Sequence, residues 1–251
     1  MRPRLASPRD ARQNAGMNPL PACCTPPLAH WPLPQPLAGA QLVSTRFDAA
    51  LLAPTDFDLS QIPPPKGASK RQTEFLAGRL CAREALRQLT GTGSTPACGK
   101  DRAPQWPTGI SGSITHSRGW AAAVVARSTD WRGLGLDMEQ LLSAARAARL
   151  AGEILTPAEL QRLAQQPAEQ QAQLVTLTFS LKESLFKALY PLVLKRFYFE
   201  HAELLEWSED GRARLRLLCD LSAEWRHGRE LEGQFSLFDD RLLSLVGIPA
   251  R

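Results

Sequence analysis

The sequence predicts an α+β protein made of two similar α+β halves with a cleft between them. Three observations carry that reading. Each half has one long amphipathic helix, each helix is accompanied by several short strand-like segments, and 251 residues suffice for two small domains. No internal repeat is strong enough to prove duplication. The expected division is an irregular arm over 1–38, an N-terminal α+β subdomain over 39–131 and a C-terminal α+β subdomain over 132–251. The arm holds nine of the twenty prolines, so it reads as irregular chain rather than as a domain. Met17 is an alternative start within it, and His30, Trp31 and Leu33 are the residues expected to pin it to the body.

Gln41 to Phe47 alternates as a strand does. Ser69 to Leu89 has the helical period, with Phe75, Leu76, Leu80, Leu86 and Leu89 as its apolar stripe. Gly91 to Gly109 is a polar loop rich in Gly, Pro and Ser. It leads to Gly112–Ser117, read as a short strand with a turn, and then to the small-residue strand Trp120–Ala126. Arg132–Glu139 is the next strand. Thr156-Pro157-Ala158-Glu159 is a helix start, with a capping Thr, Pro in the first turn and Glu three residues after the cap. A long helix follows from about Gln170 and is expected to end near Tyr190–Pro191, because proline breaks the ladder. Leu174, Leu177, Leu181 and Leu185 mark its buried stripe. Strands are expected near Phe197–Leu204, Ala213–Cys219, Gly233–Phe238 and Arg241–Val246, with Asp239-Asp240 as the last hairpin turn.

Composition narrows the function. A 43% hydrophobic and 22% charged chain is ordinary for a soluble globular protein. A net charge of +5 suits an anionic ligand or an acidic protein partner. Nucleic acid is not expected, since no basic patch with interleaved aromatics and no zinc-finger pattern occurs. Cys23, Cys24, Cys81, Cys98 and Cys219 lack metal-ligand spacing, and an odd, sparse set fits a reducing cytoplasm. No apolar run reaches membrane-spanning length, and no signal peptide is evident. Cytoplasmic localisation is therefore expected.

The chemistry-bearing residues form a split acidic set. Asp137 and Glu139 lie two apart in Gly135-Leu136-Asp137-Met138-Glu139, so in a strand both carboxylates project to one side and Met138 to the other. They either hold a hard cation or form a solvated strand edge. Glu183 lies in Phe179-Ser180-Leu181-Lys182-Glu183-Ser184-Leu185-Phe186-Lys187, four residues before Lys187 on one helix face. Here the choice is a lined cleft or plain surface ion pairing. Three carboxylates beside cationic groups are what a magnesium-dependent reaction on a pyrophosphate needs. His116 sits in a Ser/Thr/Gly-rich turn suited to phosphate, or else is an ordinary core or capping histidine. A triad of His116 with Ser113 or Ser117 lacks the nucleophile-elbow pattern. Lys70, Arg71, Arg79 and Arg83 lie on the first long helix, either as an anion site or as a solvated face.

These motifs resemble the 4'-phosphopantetheinyl transferases. The pair formed by 135–139 and 179–187 looks like the signature of that family, and Ile114-Thr115-His116-Ser117 resembles its third motif. Lys70-Arg71-Gln72 with Phe75-Leu76-Ala77-Gly78-Arg79 resembles the preceding helix of the EntD/Sfp-like group. Trp106-Pro107 with Gly109, and Phe197-Tyr198-Phe199 with His201-Ala202, look like the EntD branch, nearest to the broad-range pseudomonad form. The resemblance runs from about Leu20 to the C-terminus. It implies a monomer of two α+β halves in pseudo-twofold arrangement with coenzyme A between them. It implies transfer of the 4'-phosphopantetheine arm of coenzyme A to a serine of apo acyl or peptidyl carrier proteins, in fatty acid and siderophore biosynthesis, with release of 3',5'-adenosine bisphosphate.

The resemblance also implies roles. Asp137, Glu139 and Glu183 would hold Mg2+, with Mn2+ the alternative, and Glu183 is also the candidate base. Lys187 would contact the pyrophosphate and Lys182 would stabilise charge nearby. His116 and Thr115 would bind nucleotide phosphates, with Arg71 and Arg79 near the nucleotide end. Gln105 and Trp106 fall where the adenine-side loop lies, but this loop departs from the shorter Sfp-type version. Arg212, Arg214, Arg216 and Arg226 either face an acidic carrier or form a solvated sheet face. Two rivals stand beside this reading. Another magnesium enzyme acting on a nucleotide is one, although no Gly-x-x-x-x-Gly-Lys-Ser/Thr loop exists. A non-catalytic protein that binds acyl carrier proteins is the other, and it would not need three converging carboxylates.

Overall fold

A computed structural model describes residues 20–99, 102–238 and 240–251. Expectations for the first nineteen residues, including Met17, and for Asp239 in the last hairpin lie outside them. The order is β1 (Leu28–Ala29), β2 (Gln41–Arg46), α1 (Asp56–Ser60), α2 (Ser69–Thr90), β3 (Ala97–Cys98), β4 (Pro104–Gln105), β5 (Ile110–Ser117), β6 (Trp120–Arg127) and β7 (Trp131–Gln140). There follow α3 (Ala144–Ile154), α4 (Pro157–Ala164), α5 (Ala168–Val193), β8 (Ala202–Trp207), β9 (Arg212–Leu217), β10 (Glu230–Phe238) and β11 (Arg241–Pro249).

Strand alternation builds four layers. One sheet has the order β1-β2-β6-β5 and the other β7-β11-β10-β9-β8, with all pairs antiparallel. In the first sheet Val43, Ala121, Ala123 and Val125 face Leu76, Leu80 and Ala85 of α2. The alternate residues Leu42, Ala122 and Val124 face Leu134, Leu136, Met138 and Leu243 of the second sheet. The far side of the second sheet packs on α5 through Leu181, Leu185, Leu189, Leu242 and Val246. β6 is thus buried on both faces, which is why it is alanine- and valine-rich.

The halves meet where β5 crosses β7. Ser113 Oγ accepts from the Leu136 amide at 3.0 Å and Thr115 Oγ1 accepts from the Met138 amide at 2.9 Å, while Ser111 donates to the Trp131 carbonyl. Side-chain oxygens two residues apart therefore replace a backbone ladder at this seam. On the other side of β7, α5 comes close. A Cβ on Gly135 would lie 1.8 Å from the Ser184 carbonyl, and one on Gly133 2.5 Å from that of Ala188. Only glycine permits that approach.

Several elements differ from the sequence reading. The 91–109 loop contains the small β3–β4 hairpin. The 112–117 segment is one uninterrupted strand, and its turn comes after Ser117. α5 continues through Pro191 to Val193, because a proline in the last turn forfeits only one ladder bond and Leu194 closes the end in the left-handed region (φ 50°) with its amide on the Tyr190 carbonyl. The aromatic segment before β8 is not strand. Phe199–His201 forms a 3₁₀ turn, with the Tyr198 amide donating to His201 Nδ1 at 3.0 Å. α3 went unanticipated, its Ser143 cap hidden in an Ala/Arg run. The α4 capping box forms in full, with the Thr156 amide on Glu159 Oε2 at 2.7 Å and the Glu159 amide on Thr156 Oγ1 at 3.3 Å. Arm residue Leu33 enters the core between the sheets and His30 Nε2 bonds Ser44 Oγ at 2.7 Å, which ties the arm to the body.

Gly135→Ala is expected to cost about 3 kcal/mol or more, since backbone rather than a movable side chain meets the new methyl. Urea unfolding checks this; a loss below about 1 kcal/mol would mean that the helix can shift without penalty.

Candidate active site

Asp137 and Glu139 leave β7 on the side facing α5, as their spacing requires. Asp137 is 4% exposed. Its Oδ1 accepts from Lys187 Nζ at 2.6 Å and its Oδ2 from Ser180 Oγ at 2.8 Å. Lys187 also donates to the Leu136 carbonyl at 3.1 Å. Glu139 and Glu183 complete an acidic group. Burial, then the charge of Asp137, pushes the Glu139 carboxyl up to about 7, with Lys187 opposing and Glu183 adding to the rise. Burial likewise lifts Glu183, Lys187 opposes, and Asp137 adds to the rise. The structure brings Asp137, Glu139, Glu183 and Lys187 together, with Arg146 also acting on Glu139.

Such a set of hard oxygen donors with mutual repulsion fits a divalent cation. Among the described residues no three His, Cys, Asp or Glu side chains already form a metal cage. Both oxygens of Asp137 are engaged by protein donors, Lys187 and Ser180.

His116 lies at the edge of this group, where Lys187 and Asp137 act on its charge. Burial lowers its pKa most, and Glu74, whose Oε2 is 3.8 Å from Nδ1, opposes. His116 also lines a cleft of about 760 Å³ with Arg71, Glu74, Phe75, Arg79, Cys98 and the Pro63–Pro65 run. Arg79 is 5% exposed and stands 4.7 Å over the Phe75 ring. Its Nε has no hydrogen-bond partner among the described residues. The Cys98 side chain also acts on this guanidinium, and the buried Nε remains a donor that an anion would satisfy. Arg83 instead donates to the Ser60 carbonyl at 2.6 Å, and Lys70 pairs with Glu74 at 4.0 Å. On the other side of the acidic group, a pocket of about 170 Å³ is lined by Glu183, Phe186, Arg196, Phe197 and Phe199.

Two expected site residues take other roles. Lys182 borders that small pocket, but its ammonium is engaged by Glu159 Oε2 at 2.7 Å and by the carbonyls of Ile154 and Phe199, both at 2.9 Å. One helical step from Glu183 turns it about 100° away, into the core. Thr115 accepts from the Met138 amide at the seam, on the opposite face of β5 from His116, so its hydroxyl is turned away from the cleft that His116 lines. His116 itself stands in a strand rather than in a phosphate-suited turn, which leaves its ring as the binding group. Arg214 pairs with Glu206 and Glu230, both at 3.0 Å, and Arg216 with Glu203 at 2.9 Å, so this face is internally neutralised. Glu74 and Ser244 carry no local mark in the sequence, whereas Ser180 lies three residues before Glu183 and seven before Lys187, a helical spacing that puts it toward the same face.

The comparisons with known proteins agree with this geometry. Residues 65–126 match the 4'-phosphopantetheinyl transferase N-terminal domain and residues 133–245 the 4'-phosphopantetheinyl transferase superfamily. Enterobactin synthase component D of Escherichia coli K12 is 41% identical over 157 residues, 61% of this chain and 72% of that protein. The 4'-phosphopantetheinyl transferase Svp of Streptomyces mobaraensis is 36% identical over 169 residues, 67% of each chain. The chain belongs to the 4'-phosphopantetheinyl transferase superfamily, in its EntD/Sfp-like group. It is an enzyme of phosphopantetheinyl transfer, which sets aside the non-catalytic binding-protein alternative. No described helix is long and apolar enough to cross a membrane.

Glu139 yields a pH prediction. Its folded pKa of about 7 lies above the unfolded value near 4.3, so the native state keeps a proton that the unfolded chain loses. Its contribution to stability therefore falls as pH rises from about 4.3 to 7. Metal-free E139Q should show a flatter decline over that window in urea titrations. An unchanged slope would place Glu139 in a more solvated setting.

Proposed function

We propose that this enzyme transfers the 4'-phosphopantetheine arm of coenzyme A to a serine of apo acyl carrier proteins and peptidyl carrier domains. It acts as a cytoplasmic monomer without nucleic acid, in fatty acid and siderophore biosynthesis, with a broad carrier range like the pseudomonad form. One observation carries the site assignment. The mutually repelling carboxylates of Asp137, Glu139 and Glu183 stand beside His116, which also borders the cleft where the buried Arg79 Nε has no hydrogen-bond partner among the described residues. One end of this groove attracts an anion and the other a cation, as a bound nucleotide pyrophosphate requires.

In this reading Arg79, Arg71 and His116 hold the nucleotide phosphates. The apolar pocket of Phe186, Phe197 and Phe199 takes the pantetheine arm. Asp137, Glu139 and Glu183 hold Mg2+ or Mn2+, which when bound neutralises phosphoryl oxygens and the departing bisphosphate. Lys187, released from Asp137, neutralises pyrophosphate oxygens. The carrier serine Oγ bonds the pantetheine-side phosphorus, the bridging P–O bond breaks, and 3',5'-adenosine bisphosphate leaves. Glu183 accepts the serine proton. Without a cation, burial lifts its pKa against Lys187, and Asp137 adds to the rise; a bound cation would lower it again, so the proton goes to the carboxylate oxygen that the cation leaves free.

Intact-mass measurement of one fatty-acid and one peptide-synthetase apo carrier, incubated with enzyme, coenzyme A and Mg2+, should give one phosphopantetheine on each, abolished by EDTA. Gain on a single carrier would narrow the range, and gain on neither would overturn the carrier assignment. Asp137→Ala, Glu139→Ala and Glu183→Ala should each lower kcat by about 100-fold or more. A normal kcat at saturating Mg2+ would remove that residue from the site. Arg79→Met and His116→Ala should raise the coenzyme A Kd by about 10-fold or more with smaller effects on kcat. An unchanged Kd would take the residue out of the phosphate site.

A further inference from the structure

We propose that Ser180, Ser244 and Ser184 form a directed hydroxyl chain that fixes the orientation of the Asp137 carboxylate, which makes them positioning residues for the cation site. This rests on Asp137 being a metal ligand. Ser244 is the cross-strand partner of Asp137 in the β7–β11 pair. Its Oγ lies 2.7 Å from Ser180 Oγ and 2.8 Å from Ser184 Oγ, and Ser184 Oγ is 3.1 Å from the Ser244 carbonyl. All three serines are 0% exposed.

A hydroxyl has one proton to donate, which fixes the direction of the chain. The ionised carboxylate only accepts, so Ser180 donates to Asp137 Oδ2. Ser244 must then donate to Ser180, and the single Ser184 proton is shared between the Ser244 carbonyl at 3.1 Å and the Ser244 Oγ at 2.8 Å. Each bond polarises the next toward the carboxylate. Oδ2 is held in this way, and Oδ1 remains the oxygen that Lys187 and a cation exchange.

Close packing alone does not account for these residues. Alanine would satisfy the tight approach of α5 with no buried hydroxyl to satisfy. Other hydroxyls of α5 bond back along their own helix, Thr176 to the Ala172 carbonyl at 2.8 Å and Thr178 to that of Leu174 at 2.9 Å. Ser180 and Ser184 point across to the strands instead. Groups behind a metal ligand typically change metal affinity by about 10- to 100-fold when removed.

The test is direct Mn2+ binding, read as free Mn2+ by electron paramagnetic resonance, on full-length protein with one equivalent of coenzyme A. Unfolding free energies are measured in parallel. Affinity should fall in the order S180A, then S244A, then S184A, with about 10-fold or more for S180A. That order follows distance along the chain from Asp137 and need not follow the losses of stability. Affinities within twofold of wild type in S180A and S244A, with D137N losing binding, would overturn the inference and keep Asp137 as a ligand. Wild-type affinity in D137N would overturn the metal assignment itself. Should S180A not fold, S180C, which keeps the volume but donates weakly, replaces it with the same expected loss.

Discussion

The close approach of α5 to β7 is the constraint on which the rest of this structure depends. Two residues of strand advance about 6.6 Å and four residues of helix about 6 Å, so the two elements stay nearly in step. Gly133 lies against Ala188 and Gly135 against Ser184. One step further the strand carries Asp137 and the helix Ser180, and the first functional side chain appears where the glycines stop. The position of the carboxylate is therefore set by backbone contact, with less freedom than a loop would leave it. The opposite edge of β7 is fixed by Ser113 and Thr115 of the other half. The strand bearing the acidic pair is held from both sides.

That arrangement also explains the electrostatics. Lys182 and Lys187 sit on one helix but serve different ends. Lys182 is buried against Glu159, which also caps α4 and accepts from the Leu204 amide at 2.6 Å. This buried pair links α4, α5 and β8 beneath the site. Lys187 is the only ammonium that acts on all of Asp137, Glu139, Glu183 and His116 among the described residues. Lys187, with Arg146 acting on Glu139 alone, leaves the cluster short of positive charge, while the buried Arg79 Nε in the neighbouring cleft lacks a hydrogen-bond partner among the described residues. The site is polarised along its length before any ligand arrives.

Much of this was legible in the sequence, and the limits have physical reasons. The period-2 spacing of Asp137 and Glu139 placed them on one strand face, and the i,i+4 spacing of Glu183 and Lys187 placed them on one helix face. Both relations are local. The capping box at Thr156 and the leucine stripe of α5 are local too, and they form as read. The helical offset turns Lys182 away from Glu183, but its partner Glu159, 23 residues away, is not legible from its neighbours. Thr115 and His116 were given one role, although adjacent strand residues point to opposite faces. The serines behind Asp137 join β11 to α5, and such contacts leave no trace in either segment alone. α3 has a helical stripe of Ala147, Leu150, Ala151 and Ile154, but half of it is alanine, which gives little hydrophobic contrast with the flanking alanines.

The arm adds a mechanical consequence. β1 pairs with β2 in the first sheet, and Leu33 enters the core between the sheets. Gln35 then exchanges two hydrogen bonds of 2.9 Å with Gln234 of the second sheet, and Trp131 Nε1 donates to the Ala38 carbonyl at 2.9 Å. One short segment is thus stitched to both halves. Rotating one half against the other would break those bonds and open an apolar core to water. The arm therefore acts as a strap across the seam, and its bonds add to the Ser113 and Thr115 contacts that resist rotation of one sheet over the other.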